Sequence, residues 1–201
     1  MRNFIHGLIL APLAPLSFFL GGWWLACFVL PEKWIFAGAL LGLTLGVLAD
    51  VPLLRRWSVN TGKLNTFFWM VIFLFYSVGL FGFFMGVPAF NLGLAIPAGF
   101  ILGSKLADGQ ADEIELRSAS RNTAGFTTGV LALVCAASAF IALVDPYTPA
   151  NLQGMFDLPF EVTRNMIIGL IVAGGFSLLV SNWLLTSISI RLTYNFLKLK
   201  T

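Results

Sequence analysis

The run TAGFTTGVLALVCAASAFIALV, residues 123–144, contains no charged side chain and no proline. Wound as an α-helix it would be about 33 Å long, which matches the hydrocarbon core of a bilayer. Five further apolar runs accompany it, at about Phe4–Leu30, Trp34–Leu54, Thr66–Met85, Ala89–Leu106 and Phe160–Ile190. Short polar breaks separate them: Pro31-Glu32-Lys33, the stretch from Trp57 to Asn65, Gly86-Val87-Pro88, Ala107 to Asn122, and Asp145 to Pro159. The reading is an all-α, polytopic bundle of six transmembrane helices, with 1–201 as a single transmembrane domain.

Composition agrees. Of the 201 residues 58% are hydrophobic and 10% charged, and the mean hydropathy is +0.90. Soluble domains carry about 25% charged residues. A chain of this length cannot bury that much apolar surface in its own core, so the first partner is the lipid bilayer. Six spans leave only short connections. The start, Met1-Arg2-Asn3 followed by an apolar run, resembles a secretory signal. The run is too long for a signal core and ends in no small-residue cleavage site, so it reads as a retained first helix.

The basic residues set an expected orientation. With the N-terminus inside, Arg2, Arg55, Arg56, Lys63, Lys105, Arg117, Arg121, Arg191, Lys198 and Lys200 fall in the cytoplasm, leaving Lys33 and Arg164 outside. That asymmetry is what the positive-inside rule demands of an N-in, C-in protein in the cell (inner, cytoplasmic) membrane. Tryptophan supplies a separate criterion, because indoles favour the headgroup level. Trp23, Trp24 and Trp34 fall towards the outer interface, and Trp57, Trp69 and Trp183 towards the inner one. The net charge of +3 forms no basic stripe, so no nucleic-acid partner is expected.

Helices one and four are interrupted. The first holds Pro12 and Pro15; the fourth begins after Pro88 and contains Asn91 and Pro97. A proline inside a span removes a backbone donor and frees a carbonyl. Such backbone survives at membrane depth only where protein or a water-filled cavity satisfies it. Helices one and four are equivalent in a 3+3 inverted repeat, and breaks at equivalent positions point to a substrate site. Leu48-Ala49-Asp50-Val51-Pro52, closing helix two, and Leu143-Val144-Asp145-Pro146, closing helix five, echo such a repeat. The candidate binding residues are therefore Asn91, Pro88, Pro97, Pro12, Pro15 and Asp50. Each has a plainer alternative: kinks for the prolines, a hydrogen bond to a neighbouring backbone for Asn91, and an interfacial pair with Arg55 or Arg56 for Asp50.

Small residues at spacing four, Gly38/Gly42/Gly46, Gly82/Gly86, Gly99/Gly103 and Gly125/Gly129, predict close helix packing. Ser177, Ser181, Asn182, Thr186 and Ser187 form a polar edge on helix six, read as a hydrogen-bonding seam. The charged stretch Ala107–Arg121 predicts a surface helix along the membrane, with Glu113 and Arg117 four apart. Glu113, Arg117 and Arg121 are the candidate residues for docking a cytoplasmic or membrane protein partner. Cys27 and Cys135 lie inside spans as packing residues. No metal site, cofactor motif or nucleophile–base pair is present. Asp108-Gly109 invites comparison with CDP-alcohol phosphotransferases, but their aspartate array is missing, since no carboxylate follows the loop before Asp145.

Chain length, helix count and the segment Gly38-Ala39-Leu40-Leu41-Gly42, Gly46 and Asp50 resemble the small substrate-binding membrane subunits of energy-coupling-factor importers, over roughly one helix. Their alanine-spaced docking face on helix one has no clear counterpart, because Ala11 and Ala14 are three apart. Membership is not inferred. Three function classes follow, in order: a small-solute or ion transporter or its membrane-embedded binding subunit; a non-catalytic accessory or assembly subunit, alone or as a homo-oligomer; and a lipid-acting intramembrane enzyme.

Overall fold

A computed structural model describes residues 2–60, 65–84 and 86–199, with side chains for 5–52, 65–84, 86–154 and 157–199. Among these residues all regular structure is helical: α1 (Arg2–Leu10), α2 (Leu13–Val29), α3 (Glu32–Asn60), α4 (Thr66–Phe83), a 3-10 segment (Pro88–Leu94), α5 (Ala95–Asp108), α6 (Glu113–Val144), α7 (Thr148–Phe156) and α8 (Arg164–Lys198). Six helical stretches are long and apolar enough to cross a membrane: Ile5–Val29, Glu32–Pro52, Thr66–Phe83, Pro88–Asp108, Glu113–Val144 and Arg164–Lys198. Their outward surfaces are what lipid requires, with Phe28 and Phe83 each 81% exposed and Leu133 72% exposed. The chain forms two compact units, Met1–Trp69 and Met70–Thr201.

The first unit is built on the antiparallel pairing of α2 and α3. Side chains vanish at the seam so that backbones touch. A Cβ on Gly38 would sit 2.6 Å from Ala26 Cβ, one on Gly42 would collide with the Phe18 carbonyl, and one on Gly46 would lie 2.8 Å from the Ala14 carbonyl oxygen. Such proximity gives dispersion energy where no hydrophobic effect drives helices together. Leu48-Ala49-Asp50-Val51-Pro52 does not close its helix, contrary to expectation. α3 continues to Asn60 with Pro52 inside it. Trp69 is buried, its ring 5.7 Å from that of His6.

In the second unit α8 packs against both α5 and α6. Gly99 and Gly103 let α8 approach α5, where a Cβ would meet Ser189 at 2.5 Å and the Ile190 carbonyl oxygen at 2.6 Å. The other two glycine pairs are not close-contact surfaces, since a Cβ on Gly125 would meet only Trp183 of α8, at 3.8 Å. Gly82 and Gly129 have no atom within 4 Å of a would-be Cβ, and Gly86 takes φ +82° where the backbone turns after α4.

The charged stretch after α5 is also not a separate surface helix. Glu113–Arg121 forms the opening turns of the unbroken α6. The corner before it is a Schellman motif: Ala111 N–H donates to Leu106 O and Gln110 N–H to Ala107 O, with Gln110 at φ 50°. Asp112 then caps α6 by accepting from Glu115 N at 2.7 Å. Glu113 and Glu115 oppose the positive end of the helix dipole. Much of the acidic character of this stretch is thus helix-start chemistry. Tyr194 of α8 donates to Ala111 O at 2.6 Å and seals the corner over a small apolar cluster of Leu106, Ala111, Leu116 and Ile190.

Candidate functional site

Residues 88–94 follow from two prolines. Pro88 opens the segment, where its missing N–H costs nothing. Pro97, in the first turn of α5, offers no N–H to the Gly93 carbonyl, so an α-helical ladder cannot run through the junction. The chain winds instead as a seven-residue 3-10 helix, longer than the three or four residues this geometry usually sustains.

Asn91 lies in the middle of this segment and is 3% exposed. Its Nδ2 donates to the Ser77 carbonyl of α4 at 3.0 Å. Its Oδ1 is buried with no hydrogen-bond donor among the described residues. An acceptor left so costs about 1–3 kcal/mol. Half of the plainer expectation, an amide tied to a neighbouring backbone, therefore holds, but the oxygen is unaccounted for. Phe84 and Phe90 stack beside it, with centroids 3.7 Å apart. What the arrangement can do is accept a hydrogen bond or contribute an oxygen to a cation. Pro88, Asn91 and Pro97 thus fall together in one non-α segment and its junction with α5.

Pro12, Pro15 and Asp50 belong to the first unit. Pro12 and Pro15 flank the start of α2, after a two-residue turn at Ala11–Pro12. Asp50 is buried on α3, and no described residue donates to its Oδ1. The side chains of Arg55 and Arg56, its expected partners, lie outside the described residues. Asp145, the other half of the supposed echo, has a local role. Its carboxylate accepts from Tyr147 N at 2.9 Å in a turn that ends α6.

The polar edge of α8 resolves into a seam with α6. Asn182 Nδ2 donates to Thr127 Oγ1 at 3.2 Å and to Thr128 Oγ1 at 3.1 Å. Thr127 and Thr186 share a hydrogen bond of 3.1 Å. Thr127 and Thr128 were not singled out by the sequence reading, although paired threonines in an otherwise apolar run carry the signal. Glu113, Arg117 and Arg121 are exposed and spaced at four along α6. Cys27 is exposed and Cys135 half-buried, neither in a disulfide. Among the described residues no group of three or more His, Cys, Asp or Glu is placed to hold a metal ion.

No protein-family model matches the chain, and no curated protein or solved structure matches it either.

Proposed function

We propose that this multi-pass membrane protein is a transporter of a small solute or ion, or the membrane-embedded binding subunit of one. In this reading it is oriented with both termini in the cytoplasm of the cell (inner) membrane. The observation that carries the proposal is Asn91: a buried amide oxygen without a donor among the described residues, in a span whose backbone has left the α-helical form. Orphaned acceptors are rare in folded proteins and call for an explanation. Irregular backbone at membrane depth is the usual construction of a transporter's binding site. The ligand class is set by the atom. It must present a hydrogen-bond donor or a positive charge to Asn91 Oδ1.

The test is thermal unfolding of the purified protein against a panel of alkali cations, amino acids, vitamins and nucleosides, with Asn91→Ala alongside. A ligand at ~100-fold above its Kd adds about 2.7 kcal/mol of stability. The proposal predicts such a rise for the wild type and none for Asn91→Ala. A panel without effect on the wild type, together with a destabilised variant, would make Asn91 a structural hydrogen bond.

A second reading, an accessory or assembly subunit, is favoured by one feature of the first unit. The α2–α3 hairpin carries an open apolar groove of about 800 Å³, lined by Gly21, Gly22, Leu25, Trp34, Gly38 and Leu41 among others. Under that reading the exposed Glu113, Arg117 and Arg121 row of α6 is a second docking face. Co-purification of a stoichiometric partner from native membranes, lost on Arg117→Glu, would favour it.

A further inference from the structure

The 3-10 segment packs on α5, α6 and α8, and the Asn91–Ser77 hydrogen bond ties it to α4. Ser77 and these three helices all belong to the second unit. The apolar runs of that unit, 70–104, 123–144 and 165–190, contain no Asp, Glu, Lys, Arg or His. Ser77 lies six residues before the end of α4 at Phe83, so Asn91 sits about 9 Å inside the span. A Cβ on Gly86 would stand 4.0 Å from Ile141 Cδ1, beside the last turn of α6, which Asp145 closes. From Gly86 the chain runs through α5 to the corner where α6 begins, so each further residue moves away from Asp145. The carboxylate of Asp145 is in any case committed to Tyr147 N.

Asn91 Oδ1 is the one buried side-chain oxygen or nitrogen of this unit that lacks a partner among the described residues. An ion entering there would leave water with no opposite charge in these spans to receive it. That desolvation outweighs what a single hydrogen bond returns. An alkali cation would also need several oxygens in place of its hydration shell. A buried water molecule is held by about three polar groups, and one orphan acceptor is too few. A neutral molecule with a mostly apolar surface meets neither obstacle. Its burial is favourable, and its one donor relieves the orphan oxygen. Phe90, next to Asn91 in the chain, stacks on Phe84 and supplies an aromatic flank for such a body.

We infer that the solute taken at Asn91 is uncharged, a compact molecule with an apolar body and an N–H or O–H group that donates to Oδ1. This rests on the reading of Asn91 as a binding residue, and it removes ions from the ligands which that reading admits. Amides, alcohols and neutral nitrogen heterocycles fall inside the class. Alkali cations, protonated amines and amino-acid zwitterions fall outside it. A site built around one buried acceptor also rejects an analogue of the same shape that has no donor, because the oxygen would stay unpaired.

The experiment is thermal unfolding of the full chain in detergent, followed by tryptophan emission at fixed pH and ionic strength, against isosteres that differ in one property. Acetamide and benzamide are neutral donors of two sizes. Acetamidinium and benzamidinium have the same shapes with one positive charge. Acetone and acetophenone have the same shapes with no donor. The expected result is a saturable rise in Tm of a few degrees with at least one amide. Its amidinium and its ketone should need at least tenfold higher concentration for the same rise. Asn91→Leu exchanges the amide for an apolar group of similar size, should still fold, and should lose the rise; Asn91→Ala serves if it does not fold. A wild-type Tm indifferent to both amides overturns the inference, as does an equal rise with the matching ketone or amidinium, or a rise that Asn91→Leu retains. A rise with an amidinium or an alkali cation that Asn91→Leu abolishes would overturn the uncharged class and leave Asn91 as a binding residue, whereas a rise that survives the substitution would remove Asn91 from the site altogether.

Discussion

Replacing Gly46 by alanine tests the packing of the first unit with a single methyl group. That methyl would arrive 2.7 Å from Pro15 Cα and 2.8 Å from the Ala14 carbonyl oxygen, both backbone atoms of α2 that no rotamer change can move. Ordinary contact begins at 3.4 Å, so the helices must part locally. A parting of about 0.6 Å forfeits roughly a quarter to a half of the dispersion energy of the atoms facing each other there. Overpacking of this kind costs about 1–3 kcal/mol. The same chemical change at Gly129 of α6 meets nothing within 4 Å and gains up to about 1 kcal/mol of helix propensity. The two glycine-to-alanine variants should therefore move stability in opposite directions. Reversible unfolding in mixed micelles, titrated with a denaturing detergent and followed by tryptophan emission, reads the difference. Equal shifts of the same sign, or no cost at Gly46, would refute the close-contact account of α2 and α3.

Three smaller predictions concern the second unit. Asn182→Ala removes two interhelical hydrogen bonds to Thr127 and Thr128, and should cost about 1–2 kcal/mol in the same assay. Gln110→Gly relieves a left-handed residue at φ 50° and should stabilise by about 1 kcal/mol, whereas a β-branched residue there should destabilise. Tyr194→Phe deletes the hydrogen bond to Ala111 O and should speed amide exchange at Gln110 and Ala111, leaving α2 and α3 unaffected.

The spans were legible because lipid solvation imposes a length and an apolarity that few other environments do. TAGFTTGVLALVCAASAFIALV could be placed without knowing what it touches, and α6 duly ends at Val144. The glycine pairs were legible only in part. Gly38/Gly42/Gly46 and Gly99/Gly103 have the same spacing as Gly125/Gly129, yet spacing fixes a helix face and says nothing about what faces it. The start of α6 was misread for a related reason. Asp112, Glu113 and Glu115 look like a solvated surface when only their charge is read, whereas the aspartate three residues before a glutamate is also a capping signature. At the candidate site, the prolines announced that the backbone would break. That Asn91 would commit its amide nitrogen to Ser77 and leave its oxygen unpaired depends on α4, fourteen residues away in sequence, and no local pattern encodes it. Asp50 was read beside Arg55 and Arg56 because they are its neighbours in sequence, and their side chains lie outside the described residues.

The most direct measurement is the water accessibility of position 91. With Cys27 and Cys135 replaced by serine, single cysteines at Asn91 and at the outward-facing Leu133 would be exposed to a small charged thiol reagent in native membranes. A binding site on a transport path must open to water in some state of its cycle. Asn91→Cys should therefore react faster than Leu133→Cys, and the solute or ion that stabilises the wild type should slow it. A reaction at position 91 no faster than at the lipid-facing control, and unaltered by that ligand, would contradict the reading of the Asn91 segment as a binding site.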